Sequence, residues 1–358
     1  MFYRETGQFK TSYAADAAVF PILQDRIGIA LILGFAFVAV PLAFSSFWIS
    51  AVAIPILVFS LAAIGLNLLT GYAGQVSLGT GGFMGVGAYA CYKLTTLFPD
   101  VNIIVLIVVS GFAAAAVGTL FGLPSLRIKG FYLAVATLAA QFFLSWCFVR
   151  VGWLYNYNVS GAIEVPTRTM LGIPVTGPNA APATRYLVVL SIVVAMTWMA
   201  SNLIRGRIGR TWMAVRDMDI AAELIGIRLF RAKLMAFAVS SFYCGVAGAA
   251  MVFLWFGASE ADSFSIDLSF RILFMVIVGG LGSLTGAYFG AALIWGLPIV
   301  LRTLPDLLGL PIRAATVEHL QFMIVGALIL FFLIVEPSGL ARLWQIGKQK
   351  LRVWPFPY

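Results

Sequence analysis

The residue types that most often carry chemistry in proteins are scarce in this sequence. His319 is the single histidine, and the three cysteines, Cys91, Cys147 and Cys244, lie in apolar segments without a CxxC spacing. A zinc site takes several histidine or cysteine ligands, so one imidazole and isolated thiols do not supply one. The sequence also lacks the HExxH, GxSxG and GxxxxGK[ST] motifs. It therefore predicts a chain that is not an enzyme and has no metal or cofactor of its own.

Neutral polar residues within long apolar segments are the better candidates for a functional site. The segment GLNLLTGYAGQVSLGTGGFMGVGAYA at 65–90 interleaves such residues with eight glycines, and two more lie four positions apart on one predicted helix face. Polar side chains and irregular backbone at membrane depth must line a cavity or be packed within protein. The candidate translocation-path residues are Asn67, Gln75, Ser77, Thr80, Thr137 and Gln141. For Thr137 and Gln141, hydrogen bonding between helices is the alternative role.

The glycines themselves have two compatible interpretations. Gly81 and Gly85, and again Gly282, Gly286 and Gly290, recur at a spacing of four, which lets helices approach closely. The segments GQVSLG at 74–79 and GSLTG at 282–286 also look alike. Broken helices in corresponding halves of a chain are typical of transporters with internal repeats, and these two segments would be such a pair.

The composition excludes a soluble globular protein. Hydrophobic residues make up 61% of the 358 residues and charged residues only 10%, with a mean hydropathy of +0.99. A soluble domain carries about 25% charged residues. The formal net charge of +9 is explained by basic residues that flank membrane spans, so a nucleic-acid partner is not expected.

Long apolar runs predict an all-α integral membrane protein, a polytopic bundle of eight to ten transmembrane helices. A helix needs about 20 residues to cross a hydrocarbon core about 30 Å thick. The run 272–300 exceeds that length and is interrupted by glycines at 279, 280, 282 and 286, so we expect a broken or re-entrant element there, or two short passes. A single tilted span is the alternative. The candidate spans are 27–44, 48–69, 76–98, 101–122, 131–149, 186–204, 234–256, 272–300 and 320–335.

Basic loops assign the sides of the membrane. The loop 205–233 contains seven basic residues against three acidic ones, which predicts a cytoplasmic position. The extension 1–26 and the basic tail 341–358 are expected on the same side, with the transmembrane domain over 27–340 between them. Nine simple crossings would put the two chain ends on opposite sides, which is a second reason to expect a break within 272–300.

A short surface helix is predicted within the basic loop. Apolar residues recur there at helical spacing beside charges. Asp219 is suited to cap the start of this helix, and Gly226 to end it in a left-handed backbone conformation. The helix would bind a groove of a soluble partner or lie at the lipid headgroups. The residues of this candidate segment are Ile220, Ala221, Ala222, Glu223, Leu224, Ile225 and Gly226.

Four segments in one order carry a resemblance to a known family. They are the glycine-rich segment 65–90, RIKGFYLAVATLAAQ at 127–141, a segment at 209–249 that begins GRTWMAVRDMDIAAELIGI and ends KLMAFAVSSFYCGVAGA, and VGGLGSLTGAYFGA at 278–291. Together they resemble bacterial ABC-transporter permeases of the branched-chain amino acid family, and in particular the larger, M-type subunit. The resemblance covers most of the chain, from about residue 50 to residue 340.

The resemblance implies an importer in the bacterial inner membrane. Such an importer combines two related permeases, two cytoplasmic ATPase subunits that bind ATP and Mg, and a periplasmic amino-acid-binding protein. The run from Ala221 to Gly226 resembles the coupling motif that docks on the ATPase. On that basis Glu223 and the neighbouring arginines would make surface contacts, while Ile220, Leu224 and Ile225 would fill a groove of the ATPase.

The implied cargo is a branched-chain amino acid, and two alternatives remain open at this point. Permeases of the same family handle urea, short amides or other amino acids. A secondary carrier that works without ATP is the alternative from another class. Because no ionisable residue falls clearly at the centre of a predicted span, the sequence disfavours a proton- or sodium-coupled carrier.

Overall fold

The computed structural model describes residues 11–12, 23–125, 132–170, 172–307, 314–335 and 338–353. Most of the predicted extension 1–26 lies outside these residues, as does the turn that contains Arg127 and Lys129. The side chain of His319 also lies outside the described part of the chain.

Helices account for nearly all the regular structure of the described residues, which confirms the all-α class. In chain order the α-helices of six or more residues are α1 Leu23–Gly34, α2 Ile54–Asn67, α3 Thr80–Leu97, α4 Ile103–Ser125, α5 Tyr132–Arg150, α6 Pro182–Arg205, α7 Arg207–Asp217, α8 Asp219–Leu224, α9 Leu229–Met251, α10 Ile266–Gly279, α11 Leu284–Leu307, α12 Ala314–Val335 and α13 Gly339–Val353. Shorter helical turns are Val40–Ala43, Ser46–Trp48, Gly152–Tyr155 and Ala261–Phe264. Wider π-helical turns lengthen three of them, at Phe35–Ala39 after α1, at Ile49–Ala53 and Leu68–Tyr72 on either side of α2, and at Val252–Phe256 after α9.

Seven helical stretches of the described chain are long and apolar enough to cross a membrane, and they include α1, α2, α4, α5, α6, α9 and the first part of α11. Three further helices lie among them. The glycine-rich α3 packs against α4 and α9, the short α10 packs against α2 and α11, and α12 packs against α10 and α11. The chain is therefore a multi-pass helical membrane protein, as the sequence predicts.

The predicted break within 272–300 is confirmed. Helix α10 ends at Gly279, and α11 begins at Leu284, after a turn in which Gly280 and Gly282 have positive φ angles of 114° and 76°. The helix predicted from residue 76 begins later, at Thr80, because residues 73–79 form an irregular segment after the π-helical turn that ends at Tyr72. We refer to 73–79 and 280–283 as the first and second breaks: the first lies between two spans that the sequence predicts as separate, and the second lies within the predicted run 272–300.

Glycines let the central helices pack at backbone distance. A Cβ atom at Gly87 of α3 would collide with the backbone of Gly245 on α9, and one at Gly290 of α11 would lie 3.1 Å from the Cα of Gly279. Close approach of this kind is how helices associate where lipid removes the hydrophobic driving force between them. The packing role predicted for Gly290, and likewise for Gly286 opposite Gly279, is confirmed.

Short strands and turns cover the end of the bundle at which α3 and α5 finish. The strand β1 Ile163–Glu164 pairs in antiparallel fashion with β4 Ala258–Ser259, and β2 Thr169–Met170 pairs with β3 Ile173–Pro174. Arg168 donates a hydrogen bond from Nη2 to the carbonyl of Thr95, at the end of α3, over 2.5 Å. This end lies opposite the one at which α7 and α8 are found.

Candidate functional site

The second break lies against the end of α2 and against Gly71 in the π-helical turn before the first break, and the side chain of Asn67 holds it there. Asn67, the last residue of α2, donates from Nδ2 to the carbonyl of Ser283 over 2.8 Å, and its Oδ1 accepts from the amide of Gly282, also at 2.8 Å. Asn67 is fully buried. Both ends of its amide are thus used to hold the break 280–283 against the end of α2, immediately before the break 73–79.

An arginine connects these breaks to the surface. Arg216, near the end of α7, donates from Nη1 to the carbonyl of Gly71 over 2.8 Å. Its Nε and Nη2 contact the carboxylate of Asp217 at 2.9 Å and 2.8 Å. A Cβ at Gly74 would lie 2.9 Å from the Cγ of Arg216. The side chain of Arg216 therefore packs directly beneath the first break and ties α7 to it.

Side chains from two other helices cap the start of α3. The first amides of a helix have no partner within the helix and must find one elsewhere. The amide of Leu78 donates to Oγ1 of Thr137 over 2.9 Å, that of Gly81 to Oγ of Ser269 over 2.8 Å, and that of Gly82 to Oε1 of Gln141 over 2.5 Å. A helix that begins inside the bundle thus obtains its caps from α5 and α10.

Gln141 is the centre of this cap. Its Oε1 also accepts from Oγ of Ser269 at 3.1 Å, while its Nε2 donates to the carbonyl of Phe264 over 2.7 Å. Thr137 and Gln141 share one helix face, as predicted, and that face is turned towards α3. These contacts match the alternative in which the two residues serve hydrogen bonding between helices.

Gln75 is a buried polar residue whose side chain is only partly hydrogen-bonded. Its Nε2 donates to the carbonyl of Lys233 at 3.3 Å, near the start of α9, while its Oε1 is buried without a hydrogen-bond partner. A buried acceptor without a partner is costly, because it loses its bonds to water and gains none in return. Of the predicted path residues, Gln75 has the largest unused capacity to bind another polar group.

All six predicted path residues are buried near the two breaks. Asn67 binds the second break, and Gln75 lies within the first. Ser77 accepts from the amide of Gly79 at 3.4 Å, and Thr80 is the first residue of α3. Their side chains donate and accept hydrogen bonds but carry no charge. Their role as the lining of a translocation path stays a prediction.

Two residues of this site were not predicted from the sequence. Ser269 is one of several serines in apolar segments, and nothing in its neighbourhood distinguishes it. Arg216 is one of the seven basic residues of its loop, and its charge indicates only the side of the membrane on which the loop lies. Their partners Gly81 and Gly71 lie more than 140 positions away in the chain, so local patterns carry no signal for either contact.

The short surface helix predicted from the sequence is present as α8, and α7 anchors it. Trp212 of α7 is 1% exposed and donates from Nε1 to the carbonyl of Ala232 on α9 over 3.1 Å. Gly209 lies against the backbone of Ile204 at the end of α6. Because α7 contacts both α6 and α9, α8 is attached to a helix whose position in the bundle is fixed.

The start of α8 differs from the prediction, whereas its end agrees. Met218, in extended conformation, is the capping residue, and Asp219 is already inside the helix without a capping hydrogen bond. Asp219 instead faces the start of α9, with Oδ2 3.9 Å from Nζ of Lys233. The prediction that Asp219 caps the helix is therefore wrong. Gly226 has a φ of 89°, as expected for a residue that ends a helix in the left-handed region.

The outer face of α8 is apolar and exposed. The exposed fractions are 71% for Ile220, 83% for Leu224 and 76% for Ile225, whereas Ala222 is buried against the chain's own helices. Ala221 and Glu223 are also on the exposed side. Three large aliphatic side chains side by side on a short helix form a patch of the kind that marks an interaction site.

This arrangement defines a class of protein: a multi-pass helical membrane protein with two broken helices in contact inside the bundle and an exposed helix fixed beneath them. Residues 48–333 match the family described as "Branched-chain amino acid transport system / permease component". The chain belongs to this family of permease components.

Three curated proteins illustrate the similarity. The chain is 28% identical over 307 residues to the "High-affinity branched-chain amino acid transport system permease protein LivM" of Escherichia coli strain K12, covering 79% of this chain and 68% of that protein. The protein of the same description from Salmonella typhimurium gives the same values. The "Probable branched-chain amino acid transport permease protein LivM" of Methanocaldococcus jannaschii is 26% identical over 249 residues, covering 66% of this chain and 68% of that protein. No solved structure matches the chain.

Proposed function

We propose that this chain is the membrane-spanning permease of an ATP-driven importer for branched-chain, hydrophobic amino acids in a bacterial inner membrane. The observation that carries the proposal is the exposed apolar face of α8, held on an anchored α7 and connected through Arg216 to the two helix breaks. A permease that does not bind nucleotide itself needs such a surface, through which the conformational change of a separate ATPase is transmitted to it.

The docking step uses the apolar patch of α8. Ile220, Leu224 and Ile225 enter a groove of the cytoplasmic ATPase subunit, and Glu223 contacts its rim. Burying large aliphatic side chains contributes about 1.5 to 3 kcal/mol each at full burial. Gly226 sets the angle at which the chain leaves this interface for α9.

The transmission step runs from α7 to the breaks. When the two ATPase subunits close on ATP and Mg, α8 and α7 move together, because only Met218 separates the two helices. Trp212 and Arg216 transmit this movement from α7 to its neighbours in the bundle. Arg216 carries the displacement to Gly71, and Asn67 carries it from there to the break 280–283. Both breaks then change together, and the cavity alternates between the two sides.

The path is suited to an amino acid with an aliphatic side chain. Its predicted lining offers neutral donors and acceptors among apolar residues, with Gln75 as the group that has an unused acceptor. The ammonium group of a zwitterion supplies the donor that this acceptor lacks. Substrate affinity resides mainly in a periplasmic binding protein, which delivers the amino acid to the strand-covered end of the bundle.

The proposed topology has both chain ends in the cytoplasm. The helices α1 to α6 and α9 to α12 make ten crossings, with α10 and α11 as two separate passes, and ten is even. The basic residues of 205–233 and of α13 then share the cytoplasmic side. A second, homologous permease completes the membrane unit.

Uptake of labelled leucine in proteoliposomes tests this function. The vesicles contain the chain with its partner permease, ATPase and binding protein, with or without internal ATP, and with unlabelled urea as competitor. ATP-dependent uptake that urea does not reduce is expected. Competition by urea would assign the chain to the amide branch of the family, and equal uptake without ATP would exclude an ATP-driven importer.

A further inference from the structure

The last described helix, α13, is amphipathic and strongly basic. Leu340, Leu343, Trp344 and Gly347 recur at the spacing of one helix face, which is apolar. In sequence, Gly339–Val353 contains four basic residues and no acidic one. The basic residues include Arg342, Lys348 and Lys350, which lie outside this apolar stripe.

The protein leaves much of that apolar face uncovered. Leu343 is 48% exposed and Trp344 is 55% exposed, although both belong to the stripe. By contrast Ala341, on another face, is buried against Gly280 at the second helix break. The helix is therefore held to the bundle through its beginning, while its two largest apolar side chains face outwards.

A contact between two aromatic rings shows where the apolar face of α13 lies along the axis of α11. The ring of Trp344 lies 5.7 Å from that of Phe289, centroid to centroid. Phe289 is five residues into the apolar span that begins at Leu284, which is about 7.5 Å along the helix axis at 1.5 Å per residue. The exposed apolar side chains of α13 thus lie level with the first turns of a helix that is long and apolar enough to cross a membrane.

From these observations we propose that α13 is an interfacial helix that binds anionic phospholipids. Its apolar stripe enters the acyl-chain boundary, and its cations contact the lipid headgroups. A basic helix with an exposed apolar face is the arrangement that binds membrane surfaces, and each Lys or Arg near such a surface strengthens association with anionic lipid about fivefold. Phosphatidylglycerol represents the anionic phospholipids in the test.

The lipid site is attached to the second helix break. Gly339, at the start of α13, has a φ of 65°, and a Cβ there would lie 2.6 Å from the backbone of Gly280. Anionic lipid bound along α13 therefore holds the segment that begins the break 280–283. This lipid site does not depend on the transported substrate or on ATP, and it is tested without either.

The test measures lipid preference at one position of the full-length chain. Leu343→Cys, in a background with Cys91, Cys147 and Cys244 replaced by alanine, is labelled with a fluorophore and reconstituted in phosphatidylcholine vesicles. Quenching by spin-labelled phosphatidylglycerol is compared with quenching by spin-labelled phosphatidylcholine. We expect stronger quenching by phosphatidylglycerol, with a preference that weakens between 0.1 M and 1 M salt as the screening length falls from about 10 Å to about 3 Å.

Matched charge variants separate a headgroup site from general attraction. Arg342→Gln with Lys350→Gln removes two exposed cations of α13 and is expected to lower the preference roughly 25-fold, at about fivefold per residue. Arg342→Lys with Lys350→Arg should retain it, which also shows that the helix tolerates substitution. Arg150→Gln with Arg271→Gln removes two exposed cations elsewhere and should leave the preference unchanged.

Three results would overturn the proposal. Equal quenching by the two lipids would show that α13 lies in the membrane without choosing anionic lipid. A label quenched by neither lipid would place the face in water. Quenching that disappears when the ATPase subunits are added would show that a protein, and not lipid, covers this face.

Discussion

Replacing Gln141 by methionine tests whether the polar residues near α3 are structural caps. Methionine keeps the length of the side chain but removes the partners of two backbone groups, the amide of Gly82 and the carbonyl of Phe264. Both bonds are buried, so neither group regains a bond to water. Hydrogen bonds inside membrane proteins contribute about 0.6 kcal/mol on average and up to about 1.7 kcal/mol. The two lost backbone bonds alone therefore predict a loss of about 1 to 3 kcal/mol, and the lost bond from Oγ of Ser269 adds to it.

The assay is reversible unfolding of the full-length chain in mixed micelles, with the free energy of unfolding compared between variants. A loss of that size changes the unfolding equilibrium roughly 5- to 150-fold. Ser191→Ala is the matched control, because Ser191 is exposed on α6 and donates only to the carbonyl of Leu187 in its own helix. If Gln141→Met and Ser191→Ala unfold with the same free energy, the cap does not stabilise α3 and the reasoning is wrong.

Three further substitutions address the breaks, the packing and the surface helix. Asn67→Leu removes both hydrogen bonds to the break 280–283 and should lower leucine uptake at least tenfold, while the variant still inserts normally into the membrane. Uptake at the wild-type rate would contradict the role given to the Asn67 amide. Gly290→Ala should reduce the yield of folded protein in size-exclusion chromatography, whereas Gly296→Ala should not, since a Cβ at Gly296 meets no atom within 4 Å; equal yields would contradict the close approach of α10 and α11. Gly226→Val should abolish association with the ATPase in pull-down from membranes. Gly226→Asn should retain this association, because asparagine tolerates the left-handed region. Full association of the valine variant would refute the assignment of α8 as the segment that docks on the ATPase.

The helical architecture can largely be predicted from local sequence patterns. Long apolar runs separated by charged loops predict the bundle, because each helix must satisfy its own backbone hydrogen bonds in lipid. The break within 272–300 is predictable for the same reason, since its glycines interrupt a run that is too long for one crossing. The end of α8 at Gly226 follows from the one residue type that adopts a positive φ without strain.

The contacts that define the site cannot be predicted from local sequence patterns, because they join residues that are far apart in the chain. The pairing of Asn67 with Ser283 spans 216 positions of the chain, and that of Gln141 with Phe264 spans 123. Periodicity can show that Thr137 and Gln141 share a face, but it does not show which helix that face meets. The start of α8 fails for a related reason: Asp219 is close to Lys233 of α9, a neighbour that a capping rule does not consider.

The most direct test of the proposed coupling is to measure leucine uptake and ATP hydrolysis together in proteoliposomes that contain Arg216→Ala. Arg216 is the side chain that connects α7 to the first helix break, through Gly71, while the apolar face of α8 is left unchanged by the substitution. We predict that the ATPase still docks and hydrolyses ATP, and that the number of leucine molecules imported per ATP falls at least tenfold. An unchanged ratio of leucine to ATP would show that the displacement reaches the bundle by another route and would contradict the coupling proposed here.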